Sequence, residues 1–229
     1  MKVLVIDDNE FIRQGVKQIL AEAFPRVEIG EAGTGQRGLA AVHREPWDLA
    51  IMEISLPDLS GLELLRKLHS TAPRLPLMVL SLHPEKQYAL RAFRAGAMAY
   101  LNKRITPAEL TRATKHVLTG RMYVSSSLAV NMTNRLRDNS GKLDHETLSD
   151  REFEILMLVA QGQPIRDIAQ FMTLSIETVN TYRASLLDKL HLTTTDELIR
   201  YALDHQLLDS QGAEPGFQRP VSAPAKRIL

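Results

Sequence analysis

Over the first 120 residues, short apolar runs alternate with longer stretches whose apolar residues recur at helical spacing. The run Val3–Ile6 is aliphatic throughout, which is typical of a strand buried on both faces. Residues 9–23 then carry apolar side chains three and four positions apart, as on the buried stripe of a helix. The alternation continues with predicted strands near 27–31, 48–53, 76–81 and 98–102 and predicted helices over 35–44, 61–70, 84–94 and 107–119. Five such units predict an α/β doubly wound, five-stranded parallel sheet with a functional crevice where the strands end.

After residue 120 the pattern changes to helical spacing without strands. We interpret residues 121–145 as a partly helical linker, with a helix from about Ser126, following a first domain over 1–120. Residues 146–208 contain four helical stretches separated by turn residues, which predicts a C-terminal all-α four-helix domain. Residues 209–229 hold three prolines, two glycines and one aromatic residue, and we expect them to form a disordered tail.

The composition excludes several classes of protein. There is no cysteine, which excludes a disulfide framework, a thiolate metal site and a cysteine nucleophile. No apolar run approaches the roughly 18 residues of a membrane span, and the first residues lack the pattern of a signal peptide. The sequence therefore predicts a cytoplasmic protein with no membrane partner.

Polar side chains stand where four of the predicted strands end. Asp7 and Asp8 follow the first strand and Glu53 ends the third, and these two strands can be neighbours in a doubly wound sheet. Carboxylate oxygens suit Mg²⁺ bound together with a phosphoryl group. Ser81 and Lys103 end the fourth and fifth strands, where a hydroxyl and an ammonium can hold phosphoryl oxygens. Each residue alone is more typical of a helix cap or a solvated side chain, so the hypothesis depends on their combination.

This half of the chain resembles the receiver domain of two-component response regulators. The matching pieces are VLVIDDNEFIRQG, DLAIMEISLPDLSGLELL, VLSLHP and GAMAYLNKRITPAEL. The resemblance implies a flavodoxin-like fold, Mg²⁺ as cofactor and a phosphoacceptor at position 53. It also implies the site residues Asp7, Asp8, Glu53 and Ser55 (by its carbonyl) for the metal, and Ser81, Tyr100 and Lys103 for phosphate sensing and switching.

Position 53 departs from the receiver pattern, because the family's acceptor is an aspartate and this chain has Glu53. Glutamate carries the same charge one methylene further out, and phosphoryl transfer depends on in-line positioning. We therefore predict no efficient phosphotransfer. Three interpretations stay open: Glu53 is an introduced substitution that imitates the phosphorylated state, or a natural residue of a receiver that works without phosphorylation, or itself an acceptor.

Two enzyme interpretations compete with this one. Gly33, Gly35 and Gly38 match the G-x-G-x-x-G fingerprint of dinucleotide-binding enzymes. That fingerprint belongs after the first strand, where Asp7 and Asp8 would repel a pyrophosphate, so we favour tight packing for these glycines. A magnesium-dependent phosphohydrolase would use the same carboxylates, but the chain offers a second helical domain instead of a substrate cap. We expect no enzyme activity.

The C-terminal helices contain the pattern of a helix-turn-helix. Ser149 and Glu152 form a capping box at the first helix, and Ile165–Met172 and Ile176–Leu190 fit two helices joined by a short turn. A plain helical bundle or a dimerisation module would show the same apolar spacing. The segment nevertheless resembles the LuxR-type DNA-binding domain in LSDRE, in the G-x-x-x-x-x-IA block from residue 162, and in the S-x-x-TV block from residue 175. Together the two halves resemble the NarL/FixJ class of transcriptional response regulators.

The resemblance implies promoter DNA, a cognate sensor histidine kinase and a second copy of the chain on activation as partners. In the second helix of the motif it implies DNA contacts by Thr178, Asn180, Thr181, Arg183 and Lys189. Ile199, Ala202 and Leu203 on the last helix are candidates for a dimer contact, with core packing as the alternative.

The charge is unevenly distributed and argues against tight DNA binding by a single domain. The whole chain carries a formal +1, whereas residues 146–208 carry ten acidic and five basic residues, a balance of −5. Neutralisation of phosphates normally dominates affinity for DNA. We therefore expect the helical domain to bind DNA weakly alone and to depend on dimerisation.

Overall fold

The structure is a computed structural model that describes residues 1–137 and 144–208. Residues 138–143 of the expected linker and the tail expected at 209–229 lie outside the described residues. Five parallel strands form one sheet in the order β2-β1-β3-β4-β5. Their bounds are β1 Lys2–Ile6, β2 Glu28–Ala32, β3 Leu49–Met52, β4 Leu77–Ser81 and β5 Ala99–Asn102. The predicted doubly wound sheet is confirmed, and β1 and β3 are neighbours.

Five helices cover the two faces of this sheet, and each strand is followed by one of them. They are α1 Glu10–Ala23, α2 Gly35–Arg44, α3 Gly61–Thr71, α4 Glu85–Arg94 and α5 Pro107–Leu118. Side-chain oxygens of Asn9, Thr34, Ser60 and Thr106 accept backbone N–H bonds at the helix starts. Such caps satisfy donors that the first turn of a helix leaves unpaired, so polar residues in the strand–helix loops determine where the helices begin.

The glycine fingerprint at residues 33–38 serves packing. A Cβ on Gly38 would lie 2.6 Å from Cδ1 of Ile6, so any larger residue would require the Ile6 side chain or α2 to move. The backbone N–H groups of Gly35 and Gln36 donate to the Asp58 carboxylate at 2.8 and 2.9 Å. Because this carboxylate already occupies the start of α2, the loop offers no place for a pyrophosphate.

The remaining elements are helical. They are α6 Ser126–Arg137, a 3₁₀ turn Asp144–Glu146, α7 Asp150–Ala160, α8 Ile165–Phe171, α9 Ile176–Lys189 and α10 Thr195–Asp204. Helices α7, α9 and α10 pack together around Phe153, Leu156, Val179, Leu186 and Leu198, all of which are buried. The expected all-α C-terminal domain is confirmed. Within the described ranges, no helix is both long and apolar enough to cross a membrane.

The α7–α10 domain contacts α3 and α4 of the sheet domain. Arg91 of α4 is buried at this junction and donates to the carbonyl oxygens of Leu148 and His145 at 2.9 and 2.6 Å. It also pairs with the Asp150 carboxylate at 3.1 Å. Arg66 of α3 pairs with the same carboxylate. The start of α7 is therefore held by cations from two helices of the other domain.

Candidate functional site

The carboxyl ends of β1, β3, β4 and β5 bring four functional groups into one pocket. Asp7 follows β1, Glu53 follows β3, Ser81 ends β4, and Lys103 follows β5. Asp7, Glu53 and Ser81 are buried, and the Lys103 side chain is 7% exposed. The sheet order explains this meeting, because β1, β3, β4 and β5 lie side by side in that sequence.

The carboxylate of Glu53 is the centre of the pocket and both of its oxygens are bonded. Oε1 accepts a hydrogen bond from the Ser81 hydroxyl at 2.5 Å and from the backbone N–H of Ser55 at 3.1 Å. Oε2 pairs with Lys103 Nζ at 2.7 Å. The longer glutamate side chain thus reaches the hydroxyl and the ammonium at the same time.

Lys103 lies between two carboxylates. Its Nζ is 2.6 Å from Asp7 Oδ2 as well as 2.7 Å from Glu53 Oε2. Burial by itself opposes the charged form, but the negative charges of Glu53 and Asp7 raise the pKa of Lys103, so the ammonium form is retained. Burial also raises the pKa of the Asp7 carboxyl despite its bond to Lys103.

The expected metal ligands are only partly brought together. Asp7 and Glu53 meet through Lys103, whereas Asp8 is exposed. Among the residues that the structure describes, no group of three or more histidine, aspartate or glutamate side chains is placed to hold a metal ion. The donors are nevertheless carboxylate and carbonyl oxygens, which fit a hard cation such as Mg²⁺.

Tyr100 lies beneath the loop that follows β4. Its side chain is fully buried, and its hydroxyl donates to the carbonyl oxygen of His83 at 3.0 Å. The backbone N–H of His83 in turn donates to the Ser81 hydroxyl at 3.2 Å. The two expected switch residues are therefore connected through His83, a residue that sequence reasoning did not single out.

Helix α9 carries the residues expected to contact DNA. Ser175 caps the helix by accepting the N–H of Thr178 at 3.1 Å. Val179 and Leu186 face the core, whereas Thr181 is exposed and Asn180 is half-buried. The outward face thus presents polar side chains.

Both cations expected on that face have partners inside the domain. Lys189 Nζ lies 2.8 Å from both carboxylate oxygens of Glu152 on α7. Arg183 is half-buried and donates to the Thr195 hydroxyl on α10 at 3.3 Å. These two side chains stabilise the packing of α9 on its neighbours.

The candidate dimer contact on α10 needs one correction. Ala202 is fully buried in the domain core and takes no part in an outer surface. Leu203 is 57% exposed and Ile199 is half-buried. Ala202 and Leu198 are four residues apart and therefore lie on the same face of α10. For Ala202 this matches the alternative interpretation, packing in the core.

Sequence reasoning also missed the residues that join the two domains. Tyr88, Arg91 and Ala92 share the buried face of α4, and a charged residue on an apolar helical stripe is a signal that it has a buried partner. The partners, Asp150 and the carbonyls near it, belong to another domain. Helical spacing within one domain contains no information about them.

Two family models match the chain. They are the response regulator receiver domain over residues 3–115 and the bacterial regulatory proteins of the luxR family over residues 146–202. The transcriptional activator protein ExaE of Pseudomonas putida is 34% identical over 210 residues, which cover 91% of this chain and 98% of that protein. The chain belongs to the two-component response regulators with a LuxR-type DNA-binding domain.

Other proteins match this chain over nearly its whole length. The response regulator UvrY of Escherichia coli strain K12 is 29% identical over 212 residues, covering 92% of this response regulator and 97% of UvrY. A solved structure of RcsB from Salmonella enterica serovar Typhimurium, bound to promoter rprA in the presence of phosphomimetic BeF₃⁻, has a TM-score of 0.63 and 21% identity. The match covers 88% of this chain and 98% of the RcsB chain, and it shows that the two share a fold.

Proposed function

We propose that this response regulator binds promoter DNA in a signalling state that Glu53 sets without a phosphoryl group. One observation carries the proposal: the Glu53 carboxylate accepts the Ser81 hydroxyl at 2.5 Å and pairs with Lys103 at 2.7 Å. The receiver resemblance assigns these two groups to the phosphorylated acceptor. A carboxylate carries one negative charge where a phosphate carries about 1.5 to 2, so the imitation is partial.

The same pocket supports a limited role for magnesium. Asp7, Asp8, Glu53 and the carbonyl of Ser55 would hold the ion, which supplies positive charge against phosphoryl oxygens when bound. The ammonium of Lys103 already provides a positive charge between Asp7 and Glu53. Magnesium would therefore add to a positive charge that the pocket already contains.

The DNA-binding part of the proposal is based on α9. We assign DNA contacts to its outward-facing polar side chains and to the two cations that also brace the helix: Thr178, Asn180, Thr181, Arg183 and Lys189. Because the domain carries a balance of −5, one copy neutralises few phosphates. A homodimer that reads two half-sites would multiply weak contacts, and Leu203 on α10 is exposed for such pairing.

The proposed function also implies partners and a location for the protein. A cognate sensor histidine kinase is the partner that the receiver fold implies, although Glu53 replaces its phosphoryl input, and double-stranded promoter DNA is the output. The protein acts in the cytoplasm, where both are accessible. It works as a regulator and not as an enzyme, and p-nitrophenyl phosphate should remain unhydrolysed.

The decisive experiment compares Glu53 with its isosteric neutral variant Glu53→Gln and with Glu53→Asp. A duplex is first selected with the full chain from a randomised pool of double-stranded oligonucleotides. The original chain should bind it without a phosphoryl donor, Glu53→Gln should bind at least about tenfold more weakly, and Glu53→Asp should need acetyl phosphate and Mg²⁺. Equal affinity of all three proteins would refute the role of Glu53, and failure to enrich any sequence would refute specific DNA binding.

A further inference from the structure

A continuous series of contacts joins the Glu53 pocket to the DNA-binding domain. It begins at Ser81, whose hydroxyl bonds Glu53 and also accepts the backbone N–H of His83. The imidazole of His83 is held in place by Ser55, with His83 Nε2 2.6 Å from Ser55 Oγ. Since Ser55 also donates its N–H to Glu53, the position of the His83 ring depends on residue 53 from two sides.

The next two contacts are between aromatic rings, and the second of them crosses the domain boundary. The His83 ring lies 4.7 Å from the ring of Tyr88 on α4, measured between centroids. The Tyr88 ring meets Phe153 of α7 edge to face, with centroids 5.3 Å apart. Tyr88 is 3% exposed and Phe153 is 1% exposed, so both rings are packed inside the protein at this boundary.

Arg91 completes the contact from the opposite side. Its guanidinium carbon lies 4.1 Å from the centroid of the Phe153 ring, while its nitrogens bond Leu148, Asp150 and His145. Tyr88 and Arg91 are three residues apart on α4 and therefore lie on the same face, where they enclose Phe153. A shift of α4 would be transmitted to α7, the helix that supports α9 through Glu152 and Lys189.

We propose that His83 and Tyr88 are positioning residues that transmit the state of residue 53 to Phe153, and so determine how firmly the DNA-binding domain is docked. This inference rests on the proposed gating by Glu53 and specifies its route. A second route exists on α3, where Ser60 donates to Glu154 and Glu63 pairs with Arg151. The aromatic route is favoured because it starts at the buried switch hydroxyl and ends in the buried rings of Tyr88 and Phe153.

Because the sequence contains no cysteine, a single introduced cysteine can serve as a specific probe of docking. Gln87 on α4 is half-buried and donates to the carbonyl oxygen of Gln206, just after the end of α10, at 3.3 Å. In the full chain carrying Gln87→Cys, the rate of alkylation by iodoacetamide reports how often this contact opens. Glu53→Gln should raise that rate at least about fivefold, since it removes the charge that holds Ser81 and Lys103.

The route is then tested by repeating the comparison in four backgrounds. Two backgrounds are controls: Tyr88→Phe keeps the aromatic ring, and Arg151→Ala removes a contact of the α3 route. In both, Glu53→Gln should still raise the alkylation rate about fivefold. In Tyr88→Leu and, from the other domain, Phe153→Leu, the effect of Glu53→Gln should fall below about twofold. Thermal unfolding of each protein establishes that it is folded, and the two independent leucine variants keep the test valid if one of them is not.

The outcomes separate this inference from the proposed function. An undiminished effect of Glu53→Gln in the leucine variants, or loss of the effect in Arg151→Ala, overturns the aromatic route. No effect of Glu53→Gln on alkylation in the original background overturns it as well. In each case the affinity of the same proteins for the selected duplex shows whether gating by Glu53 survives: a difference between Glu53 and Glu53→Gln retains it, and equal affinity rejects it.

Discussion

Glu53 differs from the aspartate of the receiver pattern by one methylene group. With that methylene the carboxylate contacts Ser81 and Lys103 together. It also moves the nucleophilic oxygen away from the position from which in-line attack on a phosphorus atom is organised. The additional methylene therefore favours imitation of the phosphorylated state and disfavours phosphoryl transfer.

The first prediction concerns phosphorylation itself. With Mg²⁺ and acetyl phosphate, the chain should gain no covalent phosphate, whereas Glu53→Asp should gain close to one equivalent. Intact-protein mass spectrometry before and after treatment with base gives the measurement, because an acyl phosphate is labile to base. Stoichiometric, base-labile phosphate located on Glu53 by peptide mapping would contradict the prediction.

A second prediction at this scale concerns Glu154, whose carboxylate bonds Ser60 across the domain boundary. Burial raises its pKa to about 7, although Ser60 and Arg151 oppose the shift. The folded protein thus holds a proton that the unfolded chain releases near pH 4.5, so stability is lost as the pH rises from there through about 7.

Glu154→Gln should remove this dependence, because an amide does not titrate and still accepts a bond from Ser60. At pH 8 the free energy of unfolding of the variant should exceed that of the original chain by up to roughly 3 kcal/mol. Near pH 4.5 the two should converge. Urea denaturation of both proteins across this range is the measurement, and parallel pH profiles would show that Glu154 titrates normally.

At the scale of elements, the start of α7 contains an acidic residue with partners on two helices. Glu152 completes a capping box with Ser149 and also accepts bonds from Ser185 and Lys189 on α9. Burial by itself raises the pKa of a carboxyl, yet these bonds together lower the pKa of Glu152 to about 2. Its stabilising effect is therefore present above the ordinary carboxyl pKa and is lost as the pH falls through about 2.

Glu152→Gln should accordingly lower the free energy of unfolding at pH 7 by about 2–3 kcal/mol, because Lys189 loses its charged partner and the cap is weakened. Glu197→Gln is the matched control, since Glu197 forms the same capping box with Thr194 on α10 but is not buried by a second helix. Its effect should be clearly smaller in urea denaturation followed by circular dichroism. Similar losses in both variants would mean that capping alone, and not the bond to α9, stabilises α7.

The elements themselves were accessible from the sequence, because each has a local signal. The helix expected at 176–190 is observed at Ile176–Lys189, with its start marked by the cap at Ser175. The meeting of Glu53 with Ser81 and Lys103 followed from the sheet topology. The connection through His83 and the contact of Tyr88 with Phe153 did not, because they depend on which faces of two separate domains pack together.

For the whole molecule, the distribution of charge leads us to expect that DNA binding depends on pairing of two copies. The sheet domain and linker are net positive, and the helical domain that carries α9 is at −5. Repulsion from DNA phosphates limits the affinity of one copy, so the second half-site becomes a requirement for tight binding.

Leu203→Glu tests this dependence, since Leu203 is 57% exposed on α10 and makes little contribution to the core. The variant should retain its thermal unfolding temperature and lose at least about tenfold in affinity for a selected two-half-site duplex. Met122→Glu, at a comparably exposed apolar residue outside the helical domain, should bind as the original chain does. Equal affinity of Leu203→Glu and the original chain in fluorescence anisotropy would place the dimer contact elsewhere.

The hydrogen bond between Glu53 and Ser81 affects how long the signal lasts. An acyl phosphate on a receiver hydrolyses, so a conventional signal decays at a rate set by that chemistry. A carboxylate that belongs to the polypeptide has no such decay, and its signal persists for as long as the chain remains intact. Transcriptional output from this protein would then follow the balance of its synthesis and proteolysis, and a cell would end the response by degrading the regulator.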